Sequence, residues 1–304
     1  MNEIWDCIII GGGIAGLQAA IQIGRGRHRC LVIDSNINGR STLCKQYRNI
    51  LGYPDGVSGF TLRTQGKLHA QKTGVQFVEG HVRQVDKALT GFKIQTEKEQ
   101  FHTKTILLAT GITDRLPPIP QLYDCLGSTI YICSDCDGYE IIDKKTIVLG
   151  SGEVGAKLAL SLKYWTDKLT YINHELAPIG DGVMAKLNQE NIHYIAEEVQ
   201  SIDTHSPSQM TGVYLKGGRF IAGERAFVGF GGNMVHTELA KQLGVEITEN
   251  QHIQVDPRTK ETNISDVWAA GDIVAHSEQV TIAMGDATQA AIWIHKRLTG
   301  VTEE

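Results

Sequence analysis

The sequence predicts an α/β fold containing two doubly wound nucleotide-binding units. Two observations carry that expectation. A Gly-x-Gly-x-x-Gly loop follows an apolar strand near the N-terminus, and the same strand–loop–helix–strand arrangement recurs about 140 residues later. Between and after these loops lie a proline-dense stretch, Leu116-Pro117-Pro118-Ile119-Pro120, and a glycine-rich one, Gly229-Phe230-Gly231-Gly232. These are the places where a chain would leave one unit and return, and they are the expected hinges.

Bulk properties agree. A chain of 304 residues has room for two domains. Its 41% hydrophobic and 21% charged content is that of an ordinary globular protein. The net charge of −5, with dispersed Lys and Arg, gives no footprint for nucleic acid. No apolar run reaches the roughly 20 residues of a membrane helix. The N-terminal segment lacks the basic and apolar regions of a secretory signal. Six cysteines are too few for a secreted disulfide scaffold, so a reducing cytoplasm is expected.

Taken in order, residues 4–10 (Ile-Trp-Asp-Cys-Ile-Ile-Ile) are a buried parallel strand. Gly11, Gly13 and Gly16 follow, enclosing Ile14 and Ala15. The first glycine allows a tight turn, the second a close approach to a pyrophosphate, and the third the packing of helix on strand. Residues 17–24 have the Ala and Ile spacing of the helix whose N-terminus would hold phosphate. The next strand, Cys30 to Ile33, ends at Asp34-Ser35, and Asp34 lies eighteen residues past Gly16, where an acid grips a ribose diol. Residues 36–56 read as loop, 58–73 as helix, and 75–106 as antiparallel strands. The strand Thr105 to Leu108 then enters Ala109-Thr110-Gly111.

The second unit repeats the plan. Thr146 to Leu149 precede Gly150-Ser151-Gly152-Glu153-Val154-Gly155, then a helix over 156–165 and a strand over 169–172 ending in Asn173-His174-Glu175. Residues 226–233 read as a strand and return crossing, 266–272 as a strand ending in Gly271-Asp272, and 283–298 as a final helix.

One motif points to chemistry on sulfur. Cys133-Ser134-Asp135-Cys136-Asp137-Gly138 places two thiols at disulfide spacing, with a carboxylate beside the second able to pass a proton. The alternative, half of a zinc site, needs a second ligand pair, and the remaining cysteines (Cys7, Cys30, Cys44, Cys125) are scattered. Those four are expected as small core residues, and no metal site is expected. Trp5, Trp165, Trp268 and Trp293 are expected in packing, and His174 is the one histidine near a motif.

The ordered landmarks, namely the Gly11–Gly16 loop with Asp34, Ala109-Thr110-Gly111, the Cys133/Cys136 motif, the Gly150–Gly155 loop and Ala270-Gly271-Asp272, resemble the low-molecular-weight thioredoxin reductase family across essentially the whole chain. The resemblance implies two Rossmann-like, three-layer ββα domains, the second inserted into the first. An FAD-binding domain would comprise residues 1–115 and 246–304, and an NAD(P)H-binding-like domain carrying the cysteines residues 116–245. It implies that Gly11, Gly13, Ile14, Ala15, Gly16, Asp34, Ser35, Ala109, Thr110, Gly111, Gly271, Asp272, Gln279 and Val280 hold FAD. Cys136 would lie against the flavin, Cys133 would exchange with the partner disulfide, and Asp137 would carry the proton. The implied partner is thioredoxin or a thioredoxin-like protein, and the implied assembly a homodimer.

The sequence departs from that family at three places. NADPH-dependent members follow the second strand with an arginine clamp for the 2′-phosphate. Here Asn173-His174-Glu175 stands there, with Ile179 at the later position. Glu175, with Gly150, Gly152 and Gly155, suits NADH, or else a ferredoxin-like protein is the donor; NADPH is the third alternative. Glu278 replaces a frequent arginine, and Gly138-Tyr139-Glu140 is similar to the tail of FAD-dependent dithiol oxidases, which use oxygen to form disulfides in small molecules. The functions to weigh are therefore a disulfide reductase, a dithiol oxidase and a flavin-based redox sensor.

Overall fold

The computed structural model describes residues 4–37 and 39–301. They form two compact units. The first draws its described residues from Met1–Thr42, Gly59–Thr113 and Met234–Glu304, the second from Leu43–Ser58 and Asp114–Asn233.

The sheet of the first unit grows outward from Ile4–Ile10, which is buried on both faces from Cys7 onward. Cys30–Asp34 and then Gln76–Glu79 lie on one side of it and Gln100–Leu108 on the other, all parallel. Gln100–Leu108 divides the sheet. Its second half pairs in parallel with Val267–Ala269, and its first half pairs antiparallel with Phe92–Thr96, which continues into Val82–Lys87. Because side chains alternate along a strand, Ile4–Ile10 feeds two cores. Cys7 and Ile9 meet Ala15, Ala19 and Ile23 of helix Ile14–Arg25 and Ala283, Ala287 and Ala290 of helix Val280–Thr299. Ile8 and Ile10 meet Val85, Phe92 and Ile94 of the antiparallel layer. The result is the expected three-layer ββα arrangement.

The second unit repeats it. A parallel sheet runs in the order His193–Ile195, Leu169–Asn173, Thr146–Gly150, Arg225–Gly229, Ile130–Tyr131. Helix Gly152–Leu162 packs Ala156, Ala159 and Leu162 against Val148, Tyr171 and Phe227 on one face of it. On the other face, Ile147, Leu149 and Ile172 pack against the antiparallel strands Val199–Ser206 and Gln209–Leu215 through Ile202, Met210, Val213 and Leu215.

Several boundaries differ from the sequence expectation. Gln76–Glu79 is a parallel edge strand, not part of the antiparallel set, because Phe77 and Val78 extend the sheet beyond Val32 and Ile33. The inserted stretch ends at Asn233, not at residue 245. Past that point Met234–Val235 pairs antiparallel with Ile112–Thr113, and Leu239 and Ala240 of helix Glu238–Gln242 join the core around Ile8. The long inserted stretch is therefore bounded by crossings at 113/114 and 233/234. Pro117 to Pro120 lie inside the second unit, where Ile119 is buried in its core. The segment 43–58, expected as loop of the first domain, belongs to the second unit. Gly127 explains the attachment: a Cβ there would press on the backbone of Lys45 and Cys44, so only glycine lets the segment lie down.

The helix pair of the first unit depends on alanines. Ala287 is wholly buried between helix Val280–Thr299 and its neighbours. Ala287→Leu is expected to destabilise the unit by about 1–3 kcal/mol through overpacking. A lowered thermal midpoint checks this, and an unchanged midpoint would mean the contact has spare room.

Candidate active site

The first unit gathers its predicted residues at the C-terminal ends of its parallel strands. Ala109 N–H donates to Ile10 O at 2.9 Å, and Ala270 N–H donates to Leu108 O at 3.0 Å. Gly11 has φ +109°, and a Cβ on it would overlap the Ala109 carbonyl, so glycine is required on two counts. A Cβ on Gly16 would overlap the Gly11 carbonyl, whereas at Gly13 nothing lies within 4 Å of the Cβ position. Gly13 is also the N-cap of helix Ile14–Arg25 and supplies no side chain to its first N–H groups. An open helix N-terminus with a bare glycine edge is a cradle for a phosphate.

Gly271, at φ +82°, closes the cradle: a Cβ there would meet those of Ala15 and Ala283, the first turns of two helices. Gln279 caps the second of these helices without a side-chain hydrogen bond, and Val280 begins it. So Gly11–Gly16, Ala109–Gly111, Gly271-Asp272 and Gln279-Val280 converge. These residues fit a dinucleotide such as FAD. Thr110 is turned away, its Oγ1 donating to His236 O at 2.7 Å.

The acids of this site all carry partners that the sequence reading missed. Asp34 Oδ2 accepts from Arg63 Nη2 at 3.0 Å, and Ser35 Oγ accepts from Ile37 N–H at 3.5 Å. Asp272 Oδ2 accepts from Arg40 Nη1 at 3.3 Å, and the same nitrogen donates to Glu278 Oε2. The carboxylate at position 278 thus faces an arginine 238 residues earlier in the chain.

In the second unit Cys133 and Cys136 form a disulfide with Cα atoms 5.3 Å apart. Cys133 is the N-cap of the single helical turn Ser134–Asp137, and its Sγ accepts from Cys136 N–H at 3.2 Å. A backbone donor on a sulfur favours its thiolate once the bond opens. Gly138 follows because a Cβ there would strike the Trp165 indole, which packs over the turn.

Asp137 is pushed up to about 7 by its burial and by the charge of Glu140, against the pull of Arg48. Arg48 pairs with Glu140 at 3.5 Å. Arg48 comes from the 43–58 segment, so no motif spacing could have linked it to the cysteines. Cys44 arrives with it. Cys7, Cys30 and Cys125 are buried as expected, but Cys44 is only half-buried. Burial and the Asp137 charge lift its thiol to about 11, which keeps it protonated. Among the described residues no cluster of three or more His, Cys, Asp or Glu is placed to hold a metal.

The second glycine loop is equally tight. A Cβ on Gly150 would meet Gly229 O and Gly155 Cα, and one on Gly155 would meet the Tyr171 ring. Gly152, at φ +50°, donates its N–H to Asn173 Oδ1 at 2.9 Å. Glu175 is held near 2 by Arg115, with Ser151 adding a hydrogen bond. The two Arg115–Glu175 contacts are 2.7 and 3.0 Å. His174 Nδ1 accepts from Val199 N–H at 2.8 Å and so serves the fold.

The pyridine nucleotide-disulphide oxidoreductase family matches residues 5–287 of this chain. A thioredoxin reductase of Treponema pallidum is 29% identical to it, over 96% of each chain. The crystal structure of HlmI superposes with a TM-score of 0.87 at 26% identity, covering 99% of this chain and 95% of its own. The thioredoxin reductase of Streptococcus pyogenes also gives 0.87, at 23% identity over 99% of this chain and 100% of its own, a likeness of fold alone.

The raised value at Asp137 has a consequence for stability. A carboxyl whose folded value lies above its ordinary 3.8 contributes stability that is complete below that pH and is lost as pH rises through about 7. Denaturant midpoints of the oxidised protein should therefore fall, relative to Asp137→Asn, between about pH 4 and pH 8. Glu140→Gln should move that fall to lower pH. A wild-type-to-variant difference independent of pH would show an ordinary carboxylate.

Proposed function

We propose a function from one premise: this chain belongs to the pyridine nucleotide-disulphide oxidoreductase family and is a thioredoxin reductase-like disulfide oxidoreductase. On that footing the protein passes electrons through FAD and the Cys133/Cys136 pair to the disulfide of thioredoxin or a thioredoxin-like protein. It does so as a homodimer in a reducing, cytoplasmic compartment. The donor is NADH or a ferredoxin-like protein in place of NADPH. The observation that carries this reading is the Cys133–Cys136 disulfide with a carboxyl beside it that titrates near neutrality.

FAD, when bound, supplies the two-electron relay that opens the Cys133–Cys136 bond. It would be held by Gly11, Gly13, Ile14, Ala15 and Gly16, with Asp34 and Ser35 at the ribose, Ala109, Thr110 and Gly111 beside the loop, and Gly271, Asp272, Gln279 and Val280 at the second helix N-terminus. Gly150, Gly152, Gly155 and Glu175 would take the nucleotide donor.

The sulfur chemistry belongs to the chain. In the reduced pair the Cys136 N–H favours negative charge on Cys133 Sγ, which makes Cys133 the attacking thiolate. Attack on the partner disulfide forms a Cys133–partner bond and releases one partner sulfur, which takes a proton. Cys136 Sγ then attacks Cys133 Sγ, restoring the original disulfide and releasing the second partner sulfur, which takes another. Two electrons and two protons reach the partner. Asp137 gives a proton to a leaving sulfur and regains it from a thiol. A value near 7 suits both directions, since half the groups hold a proton at neutral pH.

Single-cysteine variants test the assignment. Incubated with oxidised thioredoxin after reduction, Cys136→Ser should accumulate a mixed disulfide, read as a summed mass, and Cys133→Ser should not. The opposite pattern would reverse the two roles. Wild type, FAD-loaded and reduced, that leaves thioredoxin oxidised but releases peroxide while closing small dithiols would replace the reductase with an oxidase.

A further inference from the structure

The sequence presents Glu175 as a lone acid after the second strand of a dinucleotide loop. The structure gives it a partner and a mount. His174 N–H donates to Gly150 O at 2.9 Å, which brings the end of strand Leu169–Asn173 alongside the glycine loop. Ser151 of that loop hydrogen-bonds the Glu175 carboxylate. The carboxylate therefore stands at the ribose end of the loop.

Arg115 grips it as a fork, Nη1 to Oε1 at 2.7 Å and Nη2 to Oε2 at 3.0 Å. Arg115 is also fastened without Glu175. Its Nε donates to Gly231 O at 2.9 Å and its Nη2 to Phe230 O at 2.7 Å. Its backbone N–H donates to Asn233 Oδ1 at 3.1 Å, and its guanidinium carbon lies 5.8 Å from the Phe230 ring centroid. The Arg115 side chain is half-exposed.

Resting on the nucleotide-donor arm of the function proposed above, we propose that Glu175 and Arg115 together select the dinucleotide with a free 2′-hydroxyl, NADH, and that Arg115 is a phosphate-binding cation masked by Glu175. Each carboxylate oxygen has two acceptor positions; the fork uses one on each and Ser151 a third. The one that remains suits a ribose hydroxyl. A 2′-phosphate would find no free donor there, because the fork's N–H groups are already taken by the carboxylate. The mount makes the mask removable. Without the carboxylate, the Gly231 and Phe230 carbonyls still hold the guanidinium, and two parallel N–H groups become free for a phosphate.

The test is calorimetric titration of NAD⁺ and NADP⁺ into FAD-loaded full-length protein. Wild type should bind NAD⁺ at least about tenfold more tightly, the size of one charge-assisted contact. Glu175→Ser should gain about tenfold for NADP⁺ and reverse the order, and adding Arg115→Ala should abolish that gain. Arg115→Lys keeps the charge without the fork; in the Glu175→Ser background it should recover part of the gain, and it replaces the alanine variant if that fails to fold. Unchanged NADP⁺ affinity in Glu175→Ser overturns the proposal, as does a wild type that prefers NADP⁺ or binds neither nucleotide. In the last case electron transfer from reduced ferredoxin to thioredoxin would leave the disulfide reductase standing, and its absence would sink both.

Discussion

The structure depends on backbone atoms meeting where no Cβ fits. At the C-terminal ends of the parallel strands, Gly16 lies on the carbonyl of Gly11 and Gly11 on that of Ala109. In the second unit Gly150 lies against Gly155 and Gly229. These contacts let a helix begin directly above a strand end, and that brings a partially positive helix terminus to the sheet edge. An alanine at Gly16 would press on the Gly11 carbonyl and lift the helix off the strand. The two loops still differ. Gly13 faces open space, whereas Gly152 gives its N–H to buried Asn173 and lies close to Ala177 and Pro178. Of the two cradles, the first has more room for a pyrophosphate against bare backbone.

The redox pair is governed by charges that reach it from elsewhere in the chain. Burial alone would raise Asp137, and Glu140, three residues on, raises it further. Arg48 pulls the other way from a segment nearly ninety residues earlier, while also pairing with Glu140. The carboxyl is balanced between these, neither permanently charged nor permanently neutral. Cys44 shares the surroundings but lacks a nearby donor strong enough to offset burial, so its thiol stays up at about 11. Three cysteine sulfurs lie in one electrostatic neighbourhood, and only the two in the Cys-x-x-Cys turn have the backbone geometry for exchange.

Much of this was legible in the sequence because it rests on local periodicity. Glycine spacing, apolar strands and the cysteine motif all act within a few residues, and the two three-layer units follow from them. The misread parts depend on contacts remote in sequence. Gln76–Glu79 has the composition of an antiparallel strand, and only its place beside Cys30–Asp34 makes it parallel. Residues 234–245 look continuous with the stretch before them, yet Met234–Val235 pairs with Ile112–Thr113 and takes the chain back. The proline-rich stretch reads as a hinge, but Ile119 and Leu122 anchor it in a core. Glu140 was visible beside the cysteines; its influence on Asp137 was not, since that needs the turn Gly138–Ile141 to fold it back.

The acids at the motif positions show the same limit in a sharper form. Asp34, Asp272, Glu278 and Glu175 look, one at a time, like bare negative charges that would repel a phosphate. Each is in contact with an arginine from another part of the chain: Arg63 with Asp34, Arg40 with Asp272 and Glu278, Arg115 with Glu175. Pairing removes most of the net charge while leaving acceptor positions free on the carboxylates. A paired acid can therefore still take a ribose hydroxyl beside a pyrophosphate that an unpaired one would drive off. The sign of a residue at a motif position consequently says little about its ligand until the opposing residue is known. In this protein the opposing residue lies 29 to 238 positions away.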